Sequence, residues 1–170
     1  MMQAIARYTA AGGSVLMTGA YVGSDLWQNE HSTVAERDFA SNTLGYKFRA
    51  ARASANGQAY STTTSFASLH DGLSLTFTQK LNRHTYAVES PDAIFPSSSR
   101  SEIYLFYSEN NKPAAVASDF GTYRAVVAGF PFETIEEESA RDTMMSDVLH
   151  FLTDKKTKLQ YQQFKSHNDE

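Results

Sequence analysis

Cysteine is absent from the chain, which excludes disulfides, thiolate metal sites and a cysteine nucleophile together. That absence leaves the redox compartment open, because a cysteine-free chain is at home inside or outside the cell. Positive charge is also scarce: 15 Lys and Arg stand against 19 Asp and Glu, for a net charge of -4. Such a balance argues against an electrostatic grip on nucleic acid or on an anionic membrane surface. The basic residues are scattered, apart from "DKKTK" near the C-terminus. No apolar run approaches the roughly 20 residues that cross a bilayer, and the first residues do not read as a charged segment followed by an apolar one in the manner of a secretion signal. Five histidines, His31, His70, His84, His150 and His167, never fall in a His-x-x-x-His spacing, so no metal site and no cofactor is expected. No fixed-period repeat and no low-complexity tract occurs.

What is present is ordinary globular material. Hydrophobic residues make up 41% and charged residues 20% of 170 residues, enough for one domain with a real core. "MMQAIARYTAAGG" has helical spacing, with Met2, Ile5, Ala6 and Thr9 on one side and Gly12 or Gly13 placed to end it. "SVLMTG" reads as a short buried strand. "STVAERDFASNTLG" reads as a helix capped by Ser32 or Thr33, with Val34, Phe39 and Leu44 as its apolar positions and Gly45 as its stop. "YKFRAAR" and "QAYSTTTSFASL", separated by "SANG", predict a hairpin. "LSLTFTQ" alternates as a half-buried strand, "TYAVES" predicts another, and "SPDAIFPSSSRS" is a Pro- and Ser-rich loop. "EIYLFYS" and "AAVASDF" predict two strands joined by the turn "ENNKP", and "YRAVVAGFPFE" holds the most apolar strand. "EEESARDTMMSDVLHFLTD" predicts a closing helix with acidic residues at its start and Met144, Met145, Val148, Leu149 and Leu152 along one face.

This order predicts a three-layer α/β/α domain with a mixed sheet, parallel near the first strand and antiparallel toward the end. Its bounds are 1–153, with 154–170 a polar tail in which Leu159, Tyr161 and Phe164 are available for docking. An α/β domain rarely opens on a crossover helix, so upstream β-α units of a longer protein are expected before it.

The chemistry centres on "YTAAGGSVLMTGAYVGSDLW". A helix, a Gly-Gly turn, an apolar strand and a tight small-residue loop entering a second helix form the arrangement in which many α/β enzymes hold a nucleophile. Thr18, Gly19 and Ala20 stand at its tip. Tyr21, Ser24 and Asp25 follow, positioned to hold a sugar by stacking and hydrogen bonds at the carboxyl end of a strand, or, for Ser24 and Asp25, simply to cap the next helix.

Two of these stretches carry a family resemblance. "YTAAGGSVLMTGAY" resembles the approach to the central strand of class I glutamine amidotransferase-like domains, including their ThuA-like branch. "GTYRAVVAGFPFETI" with "ARDTMMSDVLHFL" resembles the last strand and closing helix of the same superfamily. The middle of the chain, 46–111, lies outside the resemblance. The whole is similar to the amidotransferase-like, flavodoxin-like domain of large secreted Bacteroidetes proteins labelled xanthan lyase-related. Working members of the superfamily place a Cys on the elbow and a His and a Glu in a Phe-His-Pro-Glu sequence after a late strand. Here the elbow offers Gly19 and Ala20, and the late segment reads Phe130, Pro131, Phe132, Glu133. The acid position persists in Glu133, but nucleophile and imidazole are missing, and a triad needs both.

The resemblance thus implies a catalytically silent domain, extracytoplasmic, that binds or scaffolds within a polysaccharide-handling protein. Thr18, Gly19, Tyr21, Ser24 and Asp25 would form its ligand-binding loop. Its implied partners are a carbohydrate, upstream segments of the same protein, or a second copy of the chain. Two alternatives stand beside it. One is a polysaccharide lyase or glycoside hydrolase acting on an acidic glycan, with acid and base drawn from Asp25, His70, His84, Glu89 and Glu133. "NRHTYAVES" supplies Arg83, His84, Tyr86 and Glu89 for such chemistry, although neighbours on a strand point to opposite faces. The other alternative is a purely structural or oligomerisation domain.

The remaining features have bland readings. "LHDG" places His70 beside Asp71 in what is most simply a turn. His150 is a helix histidine. Arg49, Arg52, Arg100 and Arg124 suit an acidic sugar only if the fold brings them together. Tyr46, Tyr60, Tyr86, Tyr104, Tyr107 and Tyr123 lie in strand-like segments, where sheet packing is the ordinary role and a glycan platform the special one.

Overall fold

The computed structural model describes residues 1–28 and 30–154. The expected tail, with Leu159, Tyr161, Phe164 and His167, lies outside the described residues apart from Asp154.

Helix α1 (Met2–Ala10) ends where Gly12 takes φ +89 and donates its N–H to Thr9 O. Met2, Ile5 and Ala6 face inward and Thr9 is buried, as their spacing predicts. Strand β1 (Val15–Thr18) follows, then a turn and the short helix α2 (Ser24–Trp27). Helix α3 (Val34–Asp38) opens on a capping box: Thr33 Oγ1 accepts the Glu36 N–H at 3.2 Å, and the Glu36 carboxylate accepts the Thr33 N–H at 2.7 Å. The helix widens into a π-helical segment, Phe39–Leu44, and stops at Gly45 with φ +86. A Cβ at Gly45 would stand 2.0 Å from Ser118 Oγ, so glycine is required by space as well as by backbone. Phe39 and Leu44 are buried as expected, but Val34 is 65% exposed, because it sits in the first turn on the solvent side.

The strands depart from the predicted hairpin. Strand β2 (Tyr46–Ala50) pairs with β5 (Ala93–Pro96), while β3 (Gln58–Ser61) pairs with β4 (Ser74–Thr76) and with β6 (Ser101–Tyr107). "SANG" does turn the chain, through bonds from Gly57 N–H to Ser54 Oγ and from Gln58 N–H to Asn56 Oδ1. It delivers β3 into a different sheet, helped by Arg52 at φ +49. "TYAVES" forms no strand, and part of the supposed Pro- and Ser-rich loop is strand β5. Strand β5 escaped notice because its partner β2 lies more than 40 residues away, and local composition carries no trace of that pairing.

Strands β7 (Pro113–Asp119) and β8 (Arg124–Ala128) complete a six-stranded sheet in the order β1-β8-β7-β6-β3-β4. Only the β1–β8 pair is parallel, and the remaining pairs are antiparallel. The molecule is therefore mixed α/β, as its element order predicts. Alternation along β7 and β8 divides the core: Ala115, Ala117, Val126 and Ala128 face one side, Val116 and Val127 the other. The closing helix α4 (Glu138–Thr153) covers the first side with Ala140, Met144, Val148 and Phe151. On the second side lie α1, α2, the π-helical segment and the β2–β5 ribbon. Burial on both faces explains why "RAVVA" is so apolar, each fully buried valine contributing about 1.5–3 kcal/mol. Within α4 the predicted stripe is shifted: Leu149 is 49% exposed and Met145 only half-buried, while Phe151 and Asp147 turn inward.

Candidate functional site

At the carboxyl ends of β1 and β8 the chain builds the elbow read from the sequence. Gly19 N–H donates to Ala128 O at 3.2 Å, extending the parallel ladder by one bond. Phe132 N–H donates to Thr18 Oγ1 at 3.3 Å, which ties the loop after β8 to the elbow. The Tyr46 hydroxyl donates to Val22 O. Thr18, Gly19, Tyr21 and Asp25 then line one cavity of about 390 Å³, floored by Met17, Val22, Leu26 and Phe39. Ser24 is not among its lining residues. Tyr21 stands at the rim, 52% exposed.

The turn itself is unstrained. Among the described non-glycine residues only Arg52 and Asn111 have positive φ, and Gly19 is not in that region either. A nucleophile elbow normally holds its tip in a strained conformation that lifts the side chain into the site. Thr18 is the hydroxyl nearest the tip, and its oxygen accepts the Phe132 N–H; among the described residues no histidine lines the cavity.

Neither Ser24 nor Asp25 caps α2. Gly23 is the N-cap and makes no side-chain cap bond. The cap comes from Asp92, whose Oδ2 accepts the Gly23 N–H at 2.9 Å and the Ser24 N–H at 2.6 Å. Asp92 is wholly buried. Its Oδ1 has no hydrogen-bond partner among the described residues. Its backbone is fixed as well: Asp92 N–H donates to Gly129 O at 2.8 Å, and the Tyr107 hydroxyl donates to Asp92 O at 2.7 Å. Gly129 is needed here, because a Cβ would lie 1.9 Å from Asp92 O. Desolvation pushes the Asp92 carboxyl above its ordinary range, the bonds from Ser24 and Gly23 pull against it, and the Asp25 charge adds to the upward push. The two donors at the start of α2, free to meet an anion in an open elbow, are thus consumed by the chain's own carboxylate.

Sequence reading missed Asp92. Its one legible sign is an acidic residue set directly before the apolar run "AIF", in a stretch that otherwise reads as a loop.

The other candidates are dispersed. Glu133 belongs to the short 3-10 turn Phe132–Thr134, next to the elbow along the chain, but it is exposed, and its Oε1 accepts the Tyr86 hydroxyl at 2.8 Å. That bond and partial desolvation push the Tyr86 phenol up to about 12, desolvation contributing most. Arg83, His84 and Glu89 are exposed residues of the irregular 81–92 segment, so the opposed faces expected of a strand do not apply. His84 N–H donates to Asn82 Oδ1 in a local turn. Arg124 is structural: its Nε meets Asp119 Oδ2 at 2.9 Å, it donates to Phe151 O at 2.7 Å, and it stacks on the Phe151 ring. Arg100 donates to Phe120 O. Tyr46, Tyr104 and Tyr107 are fully buried, and Tyr60 stacks on Phe106, which is packing and not a platform.

His70 behaves differently from the turn residue its neighbourhood suggests. Gly72 does bend the chain, with φ +86. The imidazole, however, reaches α4, where Nδ1 lies 2.9 Å from Asp147 Oδ1, and the His70 backbone N–H donates to Asp147 Oδ2 at 3.3 Å. His70 and Asp25 line different cavities, on opposite sides of the sheet. No protein-family model matches this chain, and no curated protein matches it.

Proposed function

We propose that this chain is a catalytically silent amidotransferase-like domain of the three-layer, flavodoxin-like kind, serving as a binding module in a larger extracytoplasmic protein that handles polysaccharide. The reading rests on the two resembling stretches and is supported above all by the lining of the elbow cavity, which favours holding over reacting. Its floor is apolar and its rim carries Tyr21, Asp25 and Thr18, the combination that grips a sugar by its C–H face and its hydroxyls. The tip residues Gly19 and Ala20 carry no nucleophilic atom, and the N–H groups at the start of α2 are already bonded to Asp92. An oxyanion developing there would find those donors occupied.

The test is a panel of bacterial and plant polysaccharides, with retained protein and released reducing or unsaturated ends recorded together. Retention without product, weakened about tenfold by Tyr21→Ala or Asp25→Asn, is the expected result. Turnover abolished by the same substitutions would overturn the silent reading. Absence of both retention and turnover would overturn the binding role and leave the structural one.

A further inference from the structure

We propose that the groove between the turn at 69–74 and the first turns of α4 is a second binding site, for an uncharged, hydroxyl-rich ligand that meets His70 Nε2. It stands on its own observations, on the opposite side of the sheet from the elbow, and holds whether or not the elbow cavity is occupied.

The groove has a volume of about 550 Å³, within the range of small-ligand sites. One wall is a polar row on α4: Ser139, Thr143 and Asp147 are spaced by four residues and lie on one helix face. The opposing wall is His70 with Ser74 and Leu73. Asp147 is 6% exposed, and both its oxygens are engaged by His70. An ionised carboxylate only accepts hydrogen bonds, so the proton on the neutral ring belongs to Nδ1. In that tautomer Nε2 is left as an acceptor on a side chain that is 67% exposed. A surface histidine placed merely for solubility has no need of a buried carboxylate to orient it; this one is aimed, in the manner of a base steadied by an acid.

The surrounding charge selects the ligand. Among the described residues three carboxylates, Asp71, Glu137 and Asp147, line the groove, and no Lys or Arg does. Asp71 Oδ2 accepts the Thr63 hydroxyl at 2.8 Å, and Glu137 Oε2 accepts the Thr76 N–H at 3.0 Å. A uronate or a phosphate would meet the repulsion of all three carboxylates, which outnumber the partial positive charge at the start of α4. For a cation, the attraction of the carboxylates is offset in part by the positive end of the sixteen-residue α4, whose first turn contributes Ser139 and Ala140 to the lining, and by the hydrogen bonds that Asp71, Glu137 and Asp147 already accept. What remains complementary is a neutral molecule with many O–H donors. Its hydroxyls can donate hydrogen bonds to Nε2 and to carboxylate oxygens and accept them from the serine and threonine hydroxyls, while Leu73 and Ala140 take a C–H face.

The experiment follows the ring signals of His70, assigned with His70→Gln, in isotopically labelled protein by NMR. The probes are neutral gluco-, manno-, galacto- and xylo-tetrasaccharides, tetragalacturonate, and n-butylammonium. At least one neutral tetrasaccharide should shift the His70 ring and the Thr143 methyl saturably, with the two charged probes about tenfold weaker or silent. Asp147→Asn should weaken the neutral probe about tenfold, as should Thr143→Val, which conserves shape and guards against a folding artefact. Tyr21→Ala and Asp25→Asn should leave the His70 response unchanged, which separates this site from the elbow. No response to any neutral tetrasaccharide, tighter binding of a charged probe, or unaltered affinity in both groove variants would each overturn the proposal.

Discussion

Two buried aspartates, each set against a helix, give the two sides of the sheet different characters. At the elbow, Asp92 comes from the segment before β5 and closes two backbone N–H groups at the start of α2. In the groove, Asp147 comes from α4 and holds the largely exposed side chain of His70 by its Nδ1. The first carboxylate ends a polar chain inside the protein, whereas the second passes it outward. A buried carboxylate therefore marks a site only when its partner has a further polar atom in reach of a ligand. By that measure the elbow offers shape and apolar surface, and the groove offers directed hydrogen bonding.

The comparison breaks most severely at Gly129. Gly129→Ala forces a Cβ into Asp92 O and should cost about 3 kcal/mol or prevent folding, read by urea unfolding. Asp92→Ala comes next. It strands two buried donors and should cost about 2–4 kcal/mol, while Asp92→Asn, which keeps an acceptor, should cost clearly less. Equal losses for the two variants would show that space, and not the hydrogen bonds, is what Asp92 supplies. Asp147→Asn is expected to cost only about 1 kcal/mol, because its partner ring is largely exposed. Its distinctive signature is a redistribution of the His70 tautomers in the ring nitrogen spectrum.

The smallest effect distinguishes the two sides by sign. Asp92 binds its proton more tightly in the folded state, so the stability it contributes is fully present below the ordinary carboxylate pKa of about 4 and is lost as pH rises through its raised folded value. Glu137 is the reverse. Desolvation raises its carboxyl, but the bonds from Thr76 and the Glu137 backbone, with the Arg141 charge, outweigh it and hold it low. Its contribution is present above the ordinary range and is lost on acidification through the lowered folded value. Unfolding measured from pH 4 to 7 should show the wild-type minus Asp92→Asn difference growing as pH falls. The wild-type minus Glu137→Gln difference should shrink over the lower end of the same series. Parallel slopes would refute the assignment of opposite shifts.

Where a pattern is local, the sequence was readable. The run of α1 follows from the spacing of Met2, Ile5 and Ala6, and the helix ends from local residues: the structure chooses Thr33 from the pair Ser32 and Thr33 as the cap, and puts Gly12 and Gly45 at positive φ where the helical segments stop. The last two long strands and α4 follow equally from unbroken apolar runs and helical period. The elbow residues Thr18, Gly19, Tyr21 and Asp25 meet in one cavity because they sit within eight positions on one turn. Reading failed where a group's partner is distant. The β2–β5 pairing, the Asp92 cap across 68 residues and the His70–Asp147 contact across 77 are closed by packing alone.

The sequence by itself determined the mixed α/β class, the locally patterned elements such as α1, β7, β8 and α4, and the absence of a nucleophilic side chain at Gly19 and Ala20, since these depend on residue identity and on neighbours a few positions away. Tertiary structure alone decided which carboxylates are buried and what they hold. The free energy of a desolvated charge depends on the partners that folding brings within about 3 Å, and no spacing along the chain encodes those.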